Sequence, residues 1–173
     1  MDHKCNLINH STCCVSSANK SVQQTLSEMD WERSIWNAAF TGDQKRVQSL
    51  LDKSNNPKEL VNSLDNSGYT ALHYAARSGH LNICKLLLDH GAYINAQTRS
   101  GKATPLHKAA CSGKKNIIMF LINNGAQIDL QDSDGKTVLH RVTENKQVDL
   151  ISTLLEACPK LKDIKDNRGN LAI

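Results

Sequence analysis

The residues that could do chemistry here are histidines and cysteines, and they fall into two groups. The first is N-terminal: His3, Cys5, His10, Cys13 and Cys14 bring five soft or borderline ligands into the first 14 residues. Tetrahedral zinc needs four such ligands. The spacing fits no familiar zinc knuckle, however, and adjacent Cys13 and Cys14 cannot readily both chelate one ion. Residues 1–21 are therefore expected to be a flexible Cys/His-containing tail that holds no metal. A metal- or redox-responsive role for this cluster is the alternative. The second group is His73, His107 and His140, each closing a Thr-x-Leu-His motif. Catalysis or metal binding would need the three to converge. Equivalent positions in stacked helices instead lie about 10 Å apart, the packing distance between helices, so these side chains read as structural. Nucleophile and metalloprotease motifs such as Gly-x-Ser-x-Gly and His-Glu-x-x-His are absent. Gly101-Lys102 lacks the glycine and strand that would precede it in a phosphate loop. Neither enzymatic activity nor a cofactor is expected.

Those histidines are placed by a repeat. The motif threonines are Thr70, Thr104 and Thr137, so the period is 34 and then 33 residues. A fixed period of this size decides the fold before any single helix is considered. Each threonine is a candidate N-cap, its hydroxyl accepting from an unpaired amide of the first turn, and Pro105 stands where its missing N–H costs nothing. Leu72, Ala75 and Ala76 give a short helix with a small-residue face, and Gly79 ends it. Ile83, Leu86 and Leu87 mark a second helix at helical spacing, and Gly91 supplies the left-handed residue after it. Two helices cannot hide one apolar stripe between themselves. Stacking hides it, at about 1.5–3 kcal/mol for each fully buried Leu or Ile, which implies one hydrophobic seam through all units. Tips such as Asp65-Asn66-Ser67-Gly68 read as tight turns along one edge.

Composition agrees with thin stacked helices. Hydrophobic residues are 39% of the 173-residue chain and aromatics only 4%, which disfavours a core of large rings. The formal net charge of +4 is too mild, and Lys/Arg too scattered, for a nucleic-acid binder. No stretch approaches the roughly 20 apolar residues of a membrane span, and the N-terminus lacks the apolar core of a secretory signal. Six cysteines scattered without a framework suit reduced thiols inside a cell. A cytoplasmic location, with the nucleus also open, and a monomeric state are the expectations.

The segments around Thr70, Thr104 and Thr137 resemble ankyrin repeats, in which Thr-Pro-Leu-His opens the first helix and Leu-Leu-Leu closes the second. The fold class is then an all-α solenoid of helix-turn-helix units joined by β-hairpin-like loops. Repeats are assigned to 31–64, 65–97, 98–131 and 132–165, within a repeat domain spanning 22–173. The first is a weaker unit with Ile35-Trp36 in place of Leu-His, followed by a long loop from Lys53 to Asn62. In the fourth, Lys146 replaces the inter-helix glycine and Pro159 ends the unit. A partial fifth begins at Asp166 and is cut short at Ile173.

The resemblance also implies roles. The histidine holds the hairpin loop by hydrogen bonds. Asn95, with Leu88 upstream, matches a position hydroxylated by an asparagine hydroxylase, whereas the next equivalent position is Asp129. The partner is another protein, met by the hairpin tips and the exposed side of the first helices, as for an adaptor or scaffold. On this sequence that face includes Tyr69, Tyr74, Arg77, Arg99, Lys102, Lys108, Lys136 and Arg141, with Cys111, Asp134 and Glu144 beside them. Six basic residues against two acidic ones favour an acidic or phosphorylated segment, and the tyrosines are aromatic anchors of the kind enriched at hot spots.

Overall fold

The computed structural model describes residues 31–173. Trp31–Ser34 are the described residues of a first unit, and there the Ser34 N–H and hydroxyl donate to the Trp31 carbonyl at 3.0 and 2.6 Å. Ile35–Ile173 is the second unit. It runs α1 (Ile35–Thr41), α2 (Gln44–Lys53), α3 (Pro57–Val61), α4 (Ala71–Ser78), α5 (Leu81–Asp89), α6 (Pro105–Cys111), α7 (Lys115–Asn123), α8 (Val138–Glu144), α9 (Val148–Ala157) and a 3-10 turn (Pro159–Asp163). Among the described residues there is no β-strand, only an isolated antiparallel bridge between Lys165 and Leu171.

The helices form two layers. α1, α4, α6 and α8 pack on one another in chain order, and α2, α5 and α7 do the same behind them. Small residues make the inner layer close: Ala38, Ala39, Ala75, Ala76, Ala109 and Ala110 are all buried. Between the layers run Leu51, Leu72, Ile83, Leu87, Leu106, Ile117, Leu121, Leu139 and Leu154, within one cluster that extends from Ile35 to Leu161. The continuous seam expected from the periodicity is there. Cys84 belongs to it as a small hydrophobe, and burial pushes its thiol up to about 12.

The motif histidines tie each unit to the next. Nδ1 of His73 receives the Thr70 amide at 3.1 Å, and that of His107 receives the Thr104 amide at 3.3 Å. An amide can only donate, so Nδ1 accepts and the ring proton lies on Nε2. From there it is given to a carbonyl one repeat on: Ala103 for His73, Lys136 for His107 and Asn170 for His140, at 3.0, 3.1 and 3.3 Å. The threonine hydroxyls sit 2.9 Å from the same Nδ1 atoms, so their main partner is the ring. The expected bond from helix amide to threonine hydroxyl is long in the third unit, 3.4 Å from the His107 amide to the Thr104 oxygen.

This geometry requires neutral rings. Burial lowers the His73 pKa from 6.5 to about 4, and lowers that of His107 in the same way. Between pH 6.5 and 4 the unfolded chain therefore binds more protons than the folded one. The stability that the neutral His73 ring supplies is complete above pH 6.5 and is lost as the pH falls from there through about 4. For His73 alone the loss is on the order of 3 kcal/mol, at 1.36 kcal/mol per unit. Urea midpoints measured at descending pH should fall steeply across this window. A flat profile would contradict the clamp.

Two irregularities are resolved. The Lys53–Asn62 loop, expected to be a plain loop, contains α3, because Asn56 caps it by accepting from the Glu59 amide and Pro57 sits in its first turn. Lys146, in place of a glycine, keeps the left-handed backbone of that position at φ 55°, a conformation that costs an ordinary L-residue about 1–2 kcal/mol. In the first repeat Trp36 stands where the others have histidine. Its indole N–H donates 3.1 Å to the Ser63 carbonyl, bridging to the long loop instead of to the next tip.

Candidate partner-binding face

The hairpin tips share one construction. In the second, fourth and partial fifth units the first tip residue is an aspartate whose Oδ1 accepts two backbone amides. Asp65 takes Ser67 and Tyr69 at 2.9 and 2.7 Å, Asp132 takes Asp134 and Lys136 at 2.9 and 3.0 Å, and Asp166 takes Arg168 and Asn170 at 2.9 and 2.8 Å. The second carboxylate oxygen is left for a neighbouring side chain. Tyr74 donates to Asp65 at 2.6 Å, and Arg141 donates through Nε to Asp132 at 2.9 Å. Burial, reinforced by the Asp65 bond, raises the Tyr74 hydroxyl well above its ordinary value.

The third tip departs from this. Thr98 replaces the aspartate and accepts the Ala103 amide through its hydroxyl at 3.1 Å. The 34-residue spacing from Thr70 to Thr104 gives this tip one extra residue, and Lys102 turns the chain with φ 46°, where the flanking tips have Gly68 and Gly135. Lys108 occupies the helical position held by Tyr74 and Arg141 in the flanking repeats, and it meets no carboxylate among the described residues. Its ammonium donates to the Tyr69 hydroxyl at 2.8 Å and lies 4.7 Å from the centre of that ring.

The eight residues expected to meet a partner therefore differ in state. Arg77, Arg99 and Lys102 are exposed. Tyr69 and Tyr74 are half-buried, their rings 5.5 Å apart, and Phe40 lies edge-on to Tyr74 at 6.2 Å. Phe40, not singled out in the sequence, is 47% exposed and so adds an apolar element to the face. Its signal was its alignment with Arg77 and Cys111 on the inner helices. Lys136 and Arg141 are engaged internally: Lys136 pairs with Glu144, and Arg141 pairs with Asp132, Asp134 and Glu144. Burial opposes ionisation of Glu144, but its bonds to Lys136 and Arg141 outweigh that and keep its pKa below the usual range. The cationic surplus thus belongs to the second and third repeats, where Arg77, Arg99, Lys102 and Lys108 have no carboxylate among the described residues.

Cys111 is exposed on the same face, and partial burial raises its thiol pKa. Asn95 is half-buried behind the face, its Oδ1 accepting the Gln127 amide at 2.9 Å. One repeat earlier Asn62 does the same for the Tyr93 amide at 2.7 Å, so this position has a structural task. The ligand candidates His3, Cys5, His10, Cys13 and Cys14, and the tail assigned to 1–21, lie outside the described residues. Among the described residues no helix is long and apolar enough to cross a membrane.

The comparisons with known proteins point one way. The family model described as ankyrin repeats (3 copies) matches residues 10–98 and 97–166. Ankyrin repeat domain-containing protein 39 of Homo sapiens is 51% identical over 86 residues, covering 50% of this chain and 45% of the relative. Its Bos taurus counterpart is 53% identical over 68 residues, covering 39% and 35%. The matches thus span less than half the length of these two relatives. The Notch-regulated ankyrin repeat-containing protein of Xenopus tropicalis is 36% identical over 83 residues, covering 48% of this chain and 73% of that protein. With the tandem clamps and two-layered stack already described, these matches show that the chain belongs to the ankyrin-repeat family.

Proposed function

We propose that this chain is a non-enzymatic adaptor or scaffold that holds a protein partner against its inner helices and hairpin tips. The observation that carries the reading is a cluster of aromatic and cationic side chains on one surface. Exposed Phe40, the Tyr69–Tyr74 pair and four cations without carboxylate partners among the described residues lie on the inner helices and tips. A partner segment that is acidic or phosphorylated complements them. The free thiols of Cys84, Cys111 and Cys158 suit work in the cytoplasm, and in the nucleus as well, and we take the chain to act as a monomer.

The double variant Arg77→Glu, Lys108→Glu tests this. Both side chains lie outside the hydrophobic seam, so the variant is expected to keep its circular dichroism and thermal midpoint. It should lose the proteins captured by the wild type, by about tenfold or more, since each reversed charge turns attraction into repulsion. Undiminished capture would refute the assignment of the face. For Asn95, hydroxylation is a second proposal, supported by the match of Asn95 and Leu88 to the hydroxylated pattern. Intact mass after co-expression with an asparagine hydroxylase should show one added oxygen, lost in Asn95→Ala. An unchanged wild-type mass removes it.

A further inference from the structure

The missing aspartate of the third tip has a consequence for recognition. In the second and fourth repeats the inner-helix donor, Tyr74 or Arg141, is matched by the carboxylate of its own tip. In the third repeat the donor is present as Lys108, but its tip offers only Thr98, which is 3% exposed and committed to the Ala103 amide. We propose that a carboxylate of an acidic partner peptide takes this place on Lys108. In the bound state it stands in for the aspartate that the flanking repeats carry in their own chain.

Three features fit that occupant. The Lys108 ammonium is already positioned, hydrogen-bonded to the Tyr69 hydroxyl and set against its ring, so little side-chain freedom is left to lose on binding. Arg99 and Lys102 stand exposed on the same tip, which carries no acidic residue between Thr98 and Ala103. Next along the stack, Arg141 and Lys136 are already neutralised by Asp132, Asp134 and Glu144, so the fourth repeat does not compete with the third tip for that carboxylate. The ammonium is a compact point charge that suits a single carboxylate oxygen, whereas a phosphate dianion is better met by the fork of an arginine. This inference rests on the reading of the inner face as the partner surface.

The test uses the full chain and a short fluorescein-labelled peptide alternating glutamate with serine, titrated by anisotropy at low ionic strength. The expected result is binding of this peptide and not of its glutamine counterpart. Lys108→Gln should weaken binding about tenfold, the scale of one charge-assisted hydrogen bond. Thr98→Asp should weaken it similarly by supplying Lys108 with an internal carboxylate, and should leave the thermal midpoint unchanged or raised. Lys85→Gln, which removes the same charge from the exposed side of α5, should change it by no more than about twofold. The proposal is overturned if the wild type ignores the glutamate peptide. It is equally overturned if Lys108→Gln and Thr98→Asp bind as the wild type does, or if Lys85→Gln weakens binding as much. If Arg77→Glu abolishes binding while Lys108→Gln and Thr98→Asp do not, only this inference falls. If Arg77→Glu is silent as well, the assignment of the face falls with it. A phosphoserine peptide that binds more tightly and is indifferent to Thr98→Asp would also refute the carboxylate assignment.

Discussion

His107→Ala is expected to cost about 3–4 kcal/mol of stability, read as a large fall in the urea midpoint. The ring is 1% exposed and carries three interactions: the Thr104 amide, the Thr104 hydroxyl and the Lys136 carbonyl. Alanine leaves the buried Thr104 amide without an acceptor, a loss of about 1–3 kcal/mol, and a cavity costs more. The Lys136 carbonyl fares better, because it also accepts the Asp132 amide at 3.0 Å. The effect reaches beyond one repeat. Stability in a stacked array is a sum of unit and interface terms, and this ring serves the interface between the third repeat and the fourth. A loss below about 1 kcal/mol would mean that the histidine is a passive core residue.

Gly68→Ala is expected to cost about 3 kcal/mol, for a different reason. Gly68 has φ +80°, and a methyl group built there would lie 2.6 Å from the Arg99 backbone nitrogen and 2.5 Å from its Cγ. The left-handed backbone accounts for about 1–2 kcal/mol of the loss. The remainder is the displacement of the next tip, whose main chain cannot yield without disturbing the hairpin at Thr98. Gly125→Ala separates the two contributions. Gly125 has φ +88° but open space around the added methyl, so it should lose only the backbone part, about 1 kcal/mol. Equal losses at Gly68 and Gly125 would show that the close approach of the tips carries no energy.

Much of this was legible in the sequence, because it rests on period and on residues with few conformational options. The spacing of Thr70, Thr104 and Thr137 places the helix starts, and Leu72, Ile83 and Leu87 place the seam. What the period could not convey was pairing between repeats. The short helix α3 interrupts a segment without a repeat partner, and only Asn56-Pro57 marks it locally. The bridge from Trp36 to Ser63 depends on where that insertion puts a carbonyl. The charges of the inner face were countable, but their state was not. Lys136 and Lys108 look alike in the chain, yet one pairs with Glu144 while the other donates to the Tyr69 hydroxyl. Arg141 is likewise paired with Asp132, whereas the third tip carries Thr98 in place of that aspartate. The structural duty of Asn95 was similarly hidden, since its partner Gln127 lies a full repeat away.

Site-specific photocrosslinking most directly tests the claim that the inner helices and tips hold the partner. A benzoylphenylalanine placed at Phe40 or Cys111, both exposed on inner helices, is compared with one at Lys85 on the exposed side of α5. Adducts with the same captured protein are predicted from Phe40 and Cys111, lost on adding Arg77→Glu and Lys108→Glu, and none from Lys85. Adducts from Lys85 with none from the inner positions would contradict the account.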